Sequence, residues 1–154
     1  MKPDAPTQEQ APTMLLLRIA HEIAAPADRA WDIAGDFERV DRWIPEVKCT
    51  VEGRGIGARR TLTYPDGRWV CERFDRFEPV AMLIGYSIVG GGVMPLQDLR
   101  VVLQLRQGHR DGVTVVDCVA TARAQEHPAL PQIISGFAAR ALGGIEQLRI
   151  RAST

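Results

Sequence analysis

Apolar and polar residues alternate along most of this chain with a period of two, which is typical of half-buried β-strands. The alternation predicts a first strand over Met14–Ala24. It predicts six more in the second half of the chain: Val47–Glu52, Ala58–Tyr64, Arg68–Phe77, Met82–Val89, Leu96–Gln107 and Gly112–Gln125. Glycine, proline and aspartate residues separate these six, and such turns join antiparallel hairpins. The second half therefore predicts an antiparallel meander.

Helical spacing replaces the alternation in three places. Pro26 begins a short helix, because proline suits the first helical turn, and a second short turn covers Glu38–Trp43. From Pro128 to about Arg151 apolar residues recur at helical spacing and predict the longest helix. The adjacent Gly143 and Gly144 weaken this helix in its middle, so a bend or a close approach of another element is expected there.

The order of elements predicts an α+β architecture. A curved seven-stranded antiparallel sheet wraps around the long C-terminal helix, and two short helices lie between strands 1 and 2. The terminal helix is the one element long enough to cover the apolar face of such a sheet. Because a sheet around a helix seldom fills all the space between them, the arrangement favours a cavity.

The chain length and the formal net charge limit which classes of function are expected. The chain has 154 residues, of which 45% are apolar, and this suits one domain over residues 14–154 after a disordered leader over residues 1–13. The formal net charge is zero, which argues against nucleic acid and anionic membranes as partners. No apolar run follows the first residues, so a cytoplasmic location is expected. The uncharged stretch from Pro79 to Gln97 is interrupted by glycines and predicts a core strand without membrane insertion.

Cysteine and histidine spacing favours neither a metal site nor a bound cofactor. The three cysteines are far apart, and the three histidines, His21, His109 and His127, are scattered. The glycines at 53, 55 and 57 precede a strand rather than a helix, which argues against dinucleotide binding. No cofactor is expected, and a homodimer stays open.

Strand faces single out four polar residues in the predicted interior. Arg60 and Tyr64 share the inward face of one strand with Leu62, Glu72 lies on the inward face of the next, and Tyr86 on that of the strand after it. Arg60 and Glu72 lie at similar distances from the Pro65–Gly67 turn and are expected to meet across the hairpin. They form a structural ion pair or they contact a ligand; both interpretations stay open.

His21 is the one histidine on a predicted core strand. A lone buried histidine is more often structural than catalytic. It is nevertheless the one histidine from which the sequence could supply a second buried acid or base close to Glu72.

Four segments carry a family resemblance: APADRAWDIAGDFERVDRW (25–43), GIGARRTLTYPDG (55–67), ERFDRFEP (72–79) and YSIVGG (86–91). With them, residues 14–151 resemble the START and birch-pollen-allergen superfamily of helix-grip proteins, especially bacterial polyketide cyclase/dehydrase-like, or SRPBCC, proteins. None of the segments is a catalytic signature. The same segments are similar to those of plant abscisic acid receptors, whose sheet and last helix enclose a small apolar acid.

The resemblance implies a ligand cavity with its mouth at turns 65–67 and 90–95. It implies lining by Trp43, Leu62, Tyr64, Glu72, Tyr86, Leu99 and Phe137. To these the strand faces add Arg60, and the terminal helix adds Ala141. The receptors' gate is replaced by Tyr64–Gly67, their latch by Val93–Pro95, and their carboxylate-binding lysine has no counterpart. The resemblance therefore supports a ligand-binding cavity but not hormone signalling.

Three functions follow from this interpretation. The leading hypothesis is binding of a small hydrophobic molecule, which is lipid-like, polyketide-like or aromatic, with Arg60 and Glu72 as polar anchors. The second is a cofactor-independent cyclase, aromatase or lyase that acts on such a molecule, with Glu72, Tyr64 or Tyr86 moving protons. The third is a partner-binding module whose cavity is nearly closed.

Overall fold

Seven strands form one antiparallel sheet in the order β1-β7-β6-β5-β4-β3-β2. The computed structural model describes residues 13–91 and 96–154. The strands are β1 Thr13–Ile23, β2 Lys48–Glu52, β3 Arg59–Thr63, β4 Trp69–Glu78, β5 Leu83–Gly90, β6 Leu96–Gln107 and β7 Thr114–Ala124. Every strand from β2 to β6 pairs with the next along the chain, while β1 pairs with β7. The predicted meander is therefore confirmed.

Two short helices follow β1, and one long helix ends the chain. Helix α1 spans Ala27–Ala34 with Pro26 as its N-cap, a 3₁₀ helix spans Phe37–Arg42, and helix α2 spans Leu130–Ala152. The Asp36 side chain accepts a hydrogen bond from the Glu38 amide and so caps the 3₁₀ helix. The α+β helix-grip architecture predicted from the sequence is confirmed, with element ends within two residues of their expected positions.

The uncharged stretch is a sheet strand, as predicted. Its central part is β5, which pairs with β4 on one side and β6 on the other. Within the described residues, no helix has the length and apolar character needed to cross a membrane. The expected leader, apart from Thr13, and the expected mouth residues 92–95 lie outside the described residues.

Stacked aromatic rings join the short helices to the sheet. Trp31 of α1 stacks on Phe77 with ring centroids 5.8 Å apart, and Phe77 meets Phe74 edge to face at 5.7 Å. Phe74 in turn stacks on Phe37 at 4.5 Å. Aromatic pairs in these geometries add stability beyond the area that they bury. The 3₁₀ helix is thereby fixed against β4.

Gly144 is the place where α2 touches the segment after the 3₁₀ helix. A Cβ atom at Gly144 would lie 2.9 Å from Ile44 Cδ1 and 3.1 Å from Trp43 Cζ3. A Cβ atom at Gly143 would have no neighbour within 4 Å. The close approach expected at the glycine pair is confirmed, and it depends on Gly144 alone.

The two glycines therefore predict opposite responses to alanine. Gly143→Ala should raise the free energy of unfolding by up to about 1 kcal/mol, because alanine is the better helix former and meets open space. Gly144→Ala should lose that gain or destabilise the fold, because its methyl group presses on the Trp43 ring. Urea unfolding of both variants measures the difference; equal stabilisation of the two would contradict the contact at Gly144.

Candidate functional site

A cavity of about 150 Å³ lies between the inner face of the sheet and helix α2. Most of its 20 lining residues are apolar. The structure brings together around it all nine residues singled out from the sequence: Trp43, Arg60, Leu62, Tyr64, Glu72, Tyr86, Leu99, Phe137 and Ala141. Their role as ligand contacts remains a prediction.

Arg60 and Glu72 face each other across the β3–β4 hairpin. They are direct partners in the strand register, as their equal spacing from the turn predicted. Each residue is only 3% exposed. Arg60 Nε lies 3.4 Å from Glu72 Oε1, and Arg60 Nη2 donates to Glu72 Oε2 at 3.5 Å. A buried charge of either sign persists only when it is paired, so each residue needs the other.

Two aromatic rings enclose the Arg60 guanidinium. Its Cζ atom lies 4.3 Å from the centroid of the Phe37 ring and 4.7 Å from that of the Tyr86 ring. Arg60 Nη1 also donates a hydrogen bond of 3.0 Å to the Phe37 carbonyl. Such cation–π contacts strengthen when water is excluded. The guanidinium is therefore held in one orientation by contacts from three separate elements.

Two buried donors in the cavity wall have no hydrogen-bond partner within the described residues. They are Arg60 Nε and the indole nitrogen of Trp43. Arg60 Nε is close to Glu72 but does not meet it in hydrogen-bonding geometry. Buried donors nearly always find an acceptor in folded proteins. Both donors belong to residues that line the cavity, but neither nitrogen is exposed to the space, so a ligand reaches them only when these side chains shift.

Burial shifts the acidity of the polar groups in the wall. It raises the pKa of Glu72, against the opposing charge of Arg60. It also raises the pKa of the Tyr86 phenol well above its ordinary value, with a further contribution from the Glu72 charge. Burial raises the pKa of Tyr64 and brings that of the Cys118 thiol to about 11. The tyrosines and the cysteine are therefore neutral near pH 7.

His21 does not reach this cavity, and its expected burial is wrong. The residue is exposed, although its alternate neighbours Leu17 and Ile19 are half-buried. The physical reason is its position on β1, which is an edge strand of the sheet. His21 therefore cannot act as the second buried acid or base near Glu72. Tyr64 and Tyr86, which share the cavity with Glu72, are neighbours of that kind.

Arg140 is a cavity residue that the sequence interpretation missed. It lies on α2 at a helical spacing of seven from Ile133 and three from Phe137, which both line the cavity. This helical spacing is a sequence signal that places Arg140 on the cavity face. The charge of the residue argues against that placement, because an arginine within an apolar helix face is ordinarily assigned to solvent.

Within residues 13–91 and 96–154, no group of three histidine, cysteine, aspartate or glutamate side chains is placed to hold a metal ion. The opposite charges of Arg60 and Glu72 in the cavity wall neutralise each other. The arrangement can bind a mainly apolar molecule and offer it hydrogen bonds from within the wall.

The chain is similar to one protein family and to several solved structures. A family model described as "Polyketide cyclase / dehydrase and lipid transport" matches residues 14–151. No curated protein matches the chain. An uncharacterised protein of Bacillus thuringiensis superposes with a TM-score of 0.79 at 19% identity, covering 91% of this chain and 100% of its own.

Two further solved structures share the fold. A Thermobifida fusca protein has a TM-score of 0.75 at 24% identity, covering 89% of this chain and 92% of its own. Norcoclaurine synthase from Thalictrum flavum, in complex with dopamine and hydroxybenzaldehyde, has a TM-score of 0.74 at 14% identity, covering 97% and 92%. At these identities the likeness concerns the fold.

Glu72→Gln tests how strongly the buried pair supports the fold. The variant leaves the Arg60 charge without its counter-charge and should lower the free energy of unfolding by about 3 kcal/mol. The control is Glu78→Gln on the same strand, which removes an exposed partner of Arg76 and should change stability by less than about 0.5 kcal/mol. Equal stability of the two variants in chemical denaturation would contradict the structural importance of the buried pair.

Proposed function

Since the chain belongs to the polyketide cyclase/dehydrase and lipid transport family, we propose that it binds a small, mainly apolar molecule in the cavity under α2. The family and the fold support hydrophobic ligand binding in general. The finer proposal assigns the nine residues described above as the ligand contacts. Arg60 and Glu72 are its polar anchors.

One observation carries the proposal: an apolar wall contains a buried guanidinium with an unused N–H. Arg60 Nε is buried without a hydrogen-bond partner within the described residues, and so is the Trp43 indole nitrogen. Leaving such donors unpaired is costly, and an acceptor on a bound molecule would remove that cost. The ligand therefore carries at least one oxygen or nitrogen acceptor on an apolar frame.

The volume favours a ring-sized ligand. A cavity of about 150 Å³ is smaller than the roughly 300–1,000 Å³ pockets of drug-sized ligands. An apolar protein cavity of about that size accommodates benzene. Among the lipid-like, polyketide-like and aromatic classes, a single-ring aromatic compound is favoured. Norcoclaurine synthase, which shares the fold, is in complex with two single-ring compounds.

The alternative function is catalysis in the same cavity, by a cyclase, aromatase or lyase. The observation that favours it is the presence of Glu72 and Tyr86 in one cavity wall, with the pKa values of both raised by burial. Perturbed acids that face one cavity are typical of active sites as well as of structural networks. In such an enzyme Glu72, Tyr64 or Tyr86 would transfer protons to and from the bound molecule.

Native mass spectrometry of protein purified from its own source separates the two functions. A ligand that co-purifies gives the compound class by its mass. Recovery of that compound unchanged after prolonged incubation with the protein supports binding. Its conversion, together with loss of conversion in Tyr86→Phe, would support catalysis instead.

Ala141→Phe should block the cavity. The new ring enters open space beside the ligand and should weaken binding of methyl anthranilate, a neutral single-ring fluorophore, by more than about tenfold, with little change in melting temperature. Leu142→Phe is the matched control, since Leu142 is 47% exposed and does not line the cavity. Fluorescence titration measures both affinities.

Two results would contradict this proposal. The first is the absence of saturable dye binding to the unmodified protein. The second is a sharp loss of stability in Ala141→Phe with unchanged binding, which would show that position 141 packs in a closed core.

A further inference from the structure

The charges that line the cavity do not cancel. Three lining residues carry a formal charge: Arg60, Glu72 and Arg140. Arg60 and Glu72 neutralise each other at 3.4 Å. The wall is therefore left with one positive charge, that of Arg140. An apolar cavity with a single uncompensated charge attracts ligands of the opposite sign.

Arg140 has no carboxylate within 4.0 Å in the part of the chain that the structure describes. Other arginines of the protein do, among them Arg18 with Asp117, Arg73 with Asp75 and Arg149 with Glu146. Arg140 is also exposed, whereas Arg60 is buried. Its guanidinium is thus available to a ligand on the side of the cavity that solvent reaches.

A second hydrogen-bond donor, the neutral Tyr64 phenol, lines the same cavity. The positive charge of Arg140 opposes the rise that burial causes in the pKa of this phenol. Nη1 of Arg140 lies 3.4 Å from the position that a Cβ atom would occupy at Gly136, one helical turn earlier. The guanidinium therefore lies back along α2.

From this arrangement we infer that the ligand is a small apolar monocarboxylic acid whose carboxylate binds Arg140. The inference rests on the proposed function, since it requires that the cavity hold a ligand. A guanidinium presents paired N–H groups that match a carboxylate in two parallel hydrogen bonds. The ring of the acid occupies the apolar interior. Its carboxylate stays at the solvent-accessible side, where it keeps part of its hydration.

A matched pair of probes tests the inference. Cinnamate and cinnamamide have the same ring and length, and the first carries a negative charge where the second carries a neutral amide. The unmodified protein should bind cinnamate about tenfold more tightly by isothermal titration at low ionic strength. Arg140→Gln should abolish this preference by lowering cinnamate affinity about tenfold, whereas Arg140→Lys should keep part of it.

Arg151→Gln is the control, because Arg151 is an exposed arginine of the same helix that does not line the cavity. It should leave both affinities unchanged. Equal affinities of the unmodified protein for both probes would overturn the carboxylate inference while leaving the proposed function intact. A preference for cinnamate that survives Arg140→Gln would overturn the role of Arg140. Failure of both probes to bind would overturn the proposed function and this inference together.

Discussion

The burial of one guanidinium constrains much of this structure. Arg60 is almost wholly removed from water, and an unpaired charge in such a place would cost several kcal/mol. Its compensation comes from Glu72 on β4, from the carbonyl and ring of Phe37 in the 3₁₀ helix, and from the ring of Tyr86 on β5. Three elements must therefore be in place before the charge on β3 can be buried.

The same interaction explains how an apolar cavity acquires polar character without an isolated charge in its interior. The ion pair is neutral as a unit, and two rings shield one side each of the guanidinium. Phe37 is also stacked on Phe74, so the site is continuous with the aromatic contacts that reach α1. Binding chemistry and the attachment of the short helices to the sheet thus share residues.

The sequence predicted most of the fold because strand alternation and turn residues are local signals. The Arg60–Glu72 contact was predictable too, since a short hairpin fixes which residues face each other. The exposure of His21 was not, because it depends on β1 lying at a sheet edge. Asp117 is 7% exposed because Arg18 and Arg106 on the neighbouring strands cover it. The cavity volume, the burial of Asp117 and the place of Arg140 in the cavity wall depend on packing between distant elements, which no local pattern reports.

The contact at Gly144 fixes helix α2 at a point to which most of its cavity-lining side chains do not contribute. There the side chains of Trp43 and Ile44 lie directly against the helix backbone, because Gly144 has no side chain of its own. Ile133, Phe137 and Ala141 lie one turn apart on the same helix and face the cavity without taking part in that contact. Substitutions at these three positions can change the shape of the cavity while the contact at Gly144 keeps the helix in place. Because these positions are separate from that contact, proteins that descend from one ancestor can come to prefer different ligands. The same three positions are suited to randomisation in directed evolution.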